Sequence, residues 1–192
     1  MSIRQVFRTL LLTALFGALP AGATTQLKAD LPELAQGADA VVHGVVRRVE
    51  SRWSGDGMRI VTDVEIQVTE SLKGQPGGTV LVTQPGGRVD DIAQVVHGLA
   101  SFSEGEEVVV FLQKRGARAF RVSSMAQGKY QVQRAADGKT ALAVPEPTEA
   151  LLLDPVTRKP TAAAQQTMTL EQLKAAVRAA LESTPATKGR TP

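Results

Sequence analysis

"IVTDVEIQVTE", residues 60–70, repeats with a period of two. Ile60, Thr62, Val64, Ile66 and Val68 share one face of an extended chain, and Arg59, Asp63, Glu65, Gln67 and Thr69 take most of the other. Successive side chains of a strand point to opposite sides, so the pattern predicts a half-buried β-strand. Working outward, "WSGDGMR" (53–59) is a hairpin-type break, and the near-continuous apolar run Ala40–Val49 before it predicts a partner strand. On the other side "SLKGQPGG" (71–78) supplies a turn and "TVLVTQ" (79–84) the next strand.

"EEVVVFLQK" (106–114), "RAFRVSS" (118–124) and "GKYQVQ" (128–133) predict three more strands. "ADGKTALAV" (136–144) adds a weak seventh, with Asp137-Gly138 as its turn. Before them, Asp30 as N-cap, Pro32 in the first turn and Gly37 as a stop predict a short helix over 31–36. Six or seven short strands after one small helix define a mainly β chain, and a sandwich or small antiparallel barrel over residues 24–144.

From Pro145 the composition turns to Pro, Ala and Thr, which predicts an extended strap over 145–168. Thr169 followed by Gln172 is a capping box. Leu170, Leu173, Val177 and Leu181, flanked by Ala176 and Ala180, lie on one stripe and predict an amphipathic helix over 169–183. A lone short helix is marginal in water, so that stripe is expected to dock, on its own domain or on a partner. "TPATKGRTP" (184–192) is expected to be disordered.

The leader bears on location. Arg4 and Arg8 precede the apolar run Leu10–Leu19, and Pro20 and Ala21-Gly22-Ala23 follow it. Basic start, short apolar centre and small-x-small site together predict a signal peptide over 1–23 and an exported, periplasmic or secreted, mature protein. The run falls well short of the roughly 20 residues that span a bilayer, and no second stretch of that length follows. Two arginines and no acids lie in 1–23, so 20 basic and 19 acidic side chains remain, and the mature charge is near +1. With aromatics few and none interleaved with a Lys/Arg cluster, nucleic acid is not an expected partner. Zero cysteines exclude disulfides, thiolate metal sites and a cysteine nucleophile.

The candidate site is the connection 85–104. Gly86 and Gly87 after Pro85 offer free N–H groups for an anion-binding nest, or simply turn the chain. Asp90, Asp91 and His97 are possible oxygen and imidazole ligands, and His43 on the first strand could join them. Their spacings match no metal-binding motif. Ser101 and Ser103 follow His97 without the G-x-S-x-G elbow that exposes a nucleophile. "DGKT" (137–140) ends like a phosphate loop, but Gln133 stands where that loop needs glycine. No cofactor is expected.

"ADAVVHGVV" (38–46), the span Val64–Gly74 ending in "SLKG", "PGG" (85–87), "FSEGEEVVVF" (102–111) and "AQGKYQV" (126–132) resemble, in order and type, a group of exported bacterial proteins of unassigned function. They are also similar to the netrin-like domain, the OB-type barrel of the tissue inhibitors of metalloproteinases. The resemblance implies an OB-like barrel. Those inhibitors place an N-terminal cysteine at the protease zinc and are braced by disulfides. A chain without cysteine takes the fold from this resemblance and not the inhibition.

The expected function is therefore a non-enzymatic exported module that binds a protein or envelope component through the 85–104 loop and a barrel face. The rival expectations are a metal-assisted hydrolase using His97, Asp90 and Asp91, and an accessory protein of secretion or envelope assembly.

Overall fold

A computed structural model describes residues 24–136 and 140–183. The expected signal peptide, the Asp137-Gly138 turn and the expected tail 184–192 lie outside these residues. Strand β1 (Thr25–Leu27) and helix α1 (Leu31–Gly37) open the fold. The long hairpin of β2 (Ala40–Trp53) and β3 (Ile60–Lys73) follows, then β4 (Thr79–Pro85). The 85–104 connection carries β5 (Gly87–Val89) and β6 (Ile92–Gln94). Next come β7 (Glu107–Arg115), β8 (Ala119–Val122), a 3-10 turn (Met125–Gly128) and β9 (Lys129–Arg134). Beyond them lie β10 (Ala141–Pro145), β11 (Leu151–Leu153), β12 (Met168–Thr169) and helix α2 (Leu170–Glu182). Among the described residues no helix is long and apolar enough to cross a membrane.

The protein is mainly β, around an eight-stranded sheet in the order β12-β10-β9-β7-β2-β3-β4-β8. Strand β7 also pairs with β8, from Leu112↔Val122 to Arg115↔Ala119. Strand β8 touches β4 through one parallel bridge, Val82↔Phe120. All seven expected strands are present. The others are two or three residues long: β5 and β6 pair with each other, β12 adds to β10, and β1 pairs in parallel with β11. The 85–104 segment is thus not a structureless crossing, because three residue pairs of β5 and β6 fold it into a hairpin. Likewise the 145–168 strap contributes Leu151–Leu153 to a sheet.

The near-continuous apolar character of the first half of β2, residues 40–46, has a physical cause: both of its faces are buried there. Val42 and Val46 join Val64, Ile66, Val82, Val110 and Leu112 in one core. Val41 points the other way, into a second core with Val109, Phe111, Tyr130, Leu34, Leu173 and Val177. Helix α1 starts on a complete capping box between Asp30 and Glu33, and α2 on one between Thr169 and Gln172. The two helices pack on each other and lay Leu34, Ala35, Leu173 and Val177 over the outer face of β2 and β7. So the C-terminal stripe docks on its own domain. Register shifts mark β2 at Val41/Val42, His43/Gly44 and Val46/Arg48. At Gly44 a Cβ would collide with the Gln67 carbonyl, so the close approach of β3 requires glycine there.

Candidate functional site

The residues singled out by sequence are placed apart. Gly86 is buried with φ 95°, and its N–H donates to the Ile60 carbonyl at 2.9 Å, so that group is not offered to an anion. Gly87 has φ 128°, and a Cβ there would run into the Ser51 and Thr62 hydroxyls. The glycine pair therefore seats the β5–β6 hairpin against the β2–β3 hairpin. Asp90, with φ 52°, and Asp91 form the exposed tip between β5 and β6. His97 is exposed, and its Nδ1 meets only Glu149 Oε2, at 3.4 Å. His43 is buried under α2, with Nε2 on Glu107 Oε1 at 2.7 Å. Among the described residues no hydrogen bond or ion pair joins Asp90 or Asp91 to His97, and no three His, Asp or Glu side chains gather as metal ligands.

Two polar clusters lie inside. Lys129 is 1% exposed, and its Nζ donates to Ser101 O at 2.7 Å, Glu106 Oε1 at 2.6 Å and Glu146 Oε2 at 2.9 Å. Burial works against the Glu146 carboxylate, but hydrogen bonds from Ser101 and Lys129 hold it below its ordinary range. In the second cluster Arg134 grips Glu107 through two bonds of 2.6 and 2.8 Å. That grip, with a smaller contribution from His43, keeps Glu107 ionised despite partial burial. His43 Nδ1 is buried without a hydrogen-bond partner. Each cluster ties neighbouring elements together, as a structural bond would.

An opening lies elsewhere. A cleft of about 710 Å³ forms where β4 ends beside β7 and β8, with Leu99 of the 85–104 connection on its rim. Lys114, Arg115 and Arg121 line it, and no carboxylate does. Arg115 reaches only the Thr83 carbonyl, at 3.5 Å, and Arg121 only Gln113 Oε1, at 3.2 Å. These partners are neutral. Two carboxylates stand just outside the lining, Asp63 accepting from Thr83 Oγ1 at 2.6 Å and Asp39 from the Lys114 main-chain N–H at 2.7 Å. Among the described residues neither forms an ion pair with Lys114, Arg115 or Arg121. The Gln84 amide donates to Ala100 O at 2.8 Å, while its buried Oε1 has no partner.

Ser124 and Met125 close the cleft in consecutive left-handed conformations, φ 51° and 55°. Such conformations cost about 1–3 kcal/mol each for residues other than glycine, and persist only where the surroundings impose them. The bond from Ala126 N–H to Gly98 O, at 3.0 Å, pins this turn to the 85–104 connection. Buried Gln127 anchors it to the N-terminal segment, accepting from Ala29 N at 2.9 Å and donating to Leu27 O at 3.0 Å.

Among the described residues its lining carries three cationic side chains and no His, Asp or Glu. The sequence did carry a signal. Between Gln113 and Ser124 stand Lys114, Arg115, Arg118 and Arg121 with no acid among them. Phe120 lies inside that run, contrary to the reading that no aromatic does, but its ring packs on the core under β4 and β8 and makes no stacking platform. No protein-family model, curated protein or solved structure matches the chain.

Proposed function

We propose that the chain is an exported, non-enzymatic binding module on an OB-like barrel, and that it receives an anionic protein or envelope component in the cleft beside β4. The pairings support closure: β2 pairs with β3, β3 with β4, β4 touches β8, β8 pairs with β7, and β7 returns to β2. That ring surrounds the core of Val42, Val64, Val82 and Val110. The netrin-like resemblance and the signal-type leader agree with it. One observation carries the binding role: Lys114, Arg115 and Arg121 all line the cleft, and among the described residues none of them forms an ion pair.

The test is retention of partners on the immobilised mature protein. A component from an envelope extract should bind, elute as salt rises, and be lost from the charge-reversed variant R115E/R121E. Equal capture by that variant, or capture confined to a cytosolic extract, would count against the reading.

A further inference from the structure

The cleft is also the place where the sheet splits, and that says what form its ligand takes. Strand β4 is paired with β3 along its whole length, from Gln67↔Thr79 to Val61↔Pro85. On its other side the ladder is a single bridge, Val82↔Phe120, in parallel sense. Past that bridge Thr83-Gln84-Pro85 and Arg121-Val122 continue in the same direction. The left-handed turn at Ser124 and Met125 then carries the second chain away. The space that opens between them is the cleft, so the main chain at Thr83 and Gln84 has a strand on one side and an opening on the other. The Thr83 carbonyl, where a further ladder bond would form, meets a guanidinium at a long 3.5 Å. A peptide N–H is the donor that this carbonyl lacks at short range, and an unpaired strand edge is a template for one more strand.

On the reading that this cleft is the binding site, we infer that its occupant is an extended acidic peptide segment of a partner protein. The segment lies along Thr83–Gln84 as an added strand. Its main chain pairs with β4, Pro85 ends the pairing because it has no N–H, and its carboxylates meet Arg115 and Arg121. Strand addition gives affinity through the backbone, and the side chains facing the cations give selectivity.

Fluorescence anisotropy on the mature protein tests this with short labelled peptides that alternate Glu with Thr or Val. Three competitors are used: the same peptides N-methylated at alternate main-chain nitrogens, their Gln-for-Glu forms, and a sulfated oligosaccharide. Saturable binding is expected, weakened about tenfold or more by N-methylation and by loss of the carboxylates. The charge-neutral variant R115Q/R121Q, with its fold checked by circular dichroism, should lose binding in the same measure. N-methylated peptides that bind as well as the parents overturn strand addition. An oligosaccharide that binds while no peptide does overturns the peptide and leaves the anionic cleft standing. If none of these anions binds, both the peptide and the anionic cleft fall.

Discussion

At the scale of single residues, Lys129 is the charge on which the interior most depends. Its ammonium donates to Glu106 and Glu146, is almost cut off from water at 1% exposure, and lies 4.9 Å over the Phe102 ring. Replacing it by methionine keeps the volume but leaves two largely buried carboxylates without their shared cation. Breaking a buried ion pair from one side costs about 3–5 kcal/mol. Lys129→Met is therefore expected to lower the urea unfolding free energy at neutral pH by that amount. A loss under about 1 kcal/mol would mean that water reaches the carboxylates and does the work of the ammonium. Sequence gave no hint of this residue. In "GKYQVQ" the lysine reads as one more polar position on a strand, and its burial depends on acids that arrive from outside that strand. For the cleft only the basic run 114–121 was visible, and its shape was not, since Thr83, Arg121 and Met125 come to line one opening through the fold. By contrast, the glycines at 86 and 87 were legible as a corner from residue type alone.

At the scale of elements, α2 shows what a short helix needs. Its capping box and stripe were legible because both follow from local spacing, Thr169 to Gln172 and Leu170 to Leu173 to Val177. The side on which the stripe lands was not, since that depends on α1 and on the outer face of β7. Leu173 is fully buried in that second core, with Leu34, Phe111 and Tyr130 in the same cluster. Leu173→Ala is expected to cost about 2–5 kcal/mol in urea or thermal unfolding, as removal of a buried leucine side chain does. A cost below about 1 kcal/mol would show that α2 leaves the domain readily and is free for a partner. The long strands were readable for their alternation or for continuous apolar runs under two cores. Strands β1, β5, β6, β11 and β12 were not, because two- and three-residue strands owe their order to what they dock against. For β5 that is the Ser51 and Thr62 hydroxyls at Gly87; for β1 it is a parallel partner more than a hundred positions away, Leu151 opposite Thr25.

At the scale of the whole molecule, three carboxylates fasten separate parts, and all three are held below their ordinary range. Glu70 on β3 is lowered chiefly by its hydrogen bond from Lys174, with Arg178 adding to it, and so joins the sheet to α2. Glu107 on β7 is lowered chiefly by Arg134 of β9, with His43 of β2 on the same oxygen. Glu146 overcomes its burial through Ser101 and Lys129, and joins the end of β10 to β9 and to the 85–104 connection. A carboxylate lowered in the folded state binds fewer protons there than in the unfolded chain. Its contribution is complete above the unfolded pKa and is lost as pH falls through the folded one. Stability from these three groups should therefore be level from neutral pH down to about the ordinary glutamate value of 4.5, and should fall below it. Urea midpoints measured through that range check the sign. The double variant E70Q/E107Q should start less stable at neutral pH and show a shallower fall in acid, because two of the three proton-linked bonds are gone. An unchanged acid slope in that variant would place the acid sensitivity outside Glu70 and Glu107, in Glu146 or in the other lowered carboxylates, Asp56 and Asp154. A wild-type midpoint that does not move between neutral pH and the acid range would mean that none of these bonds holds the fold together.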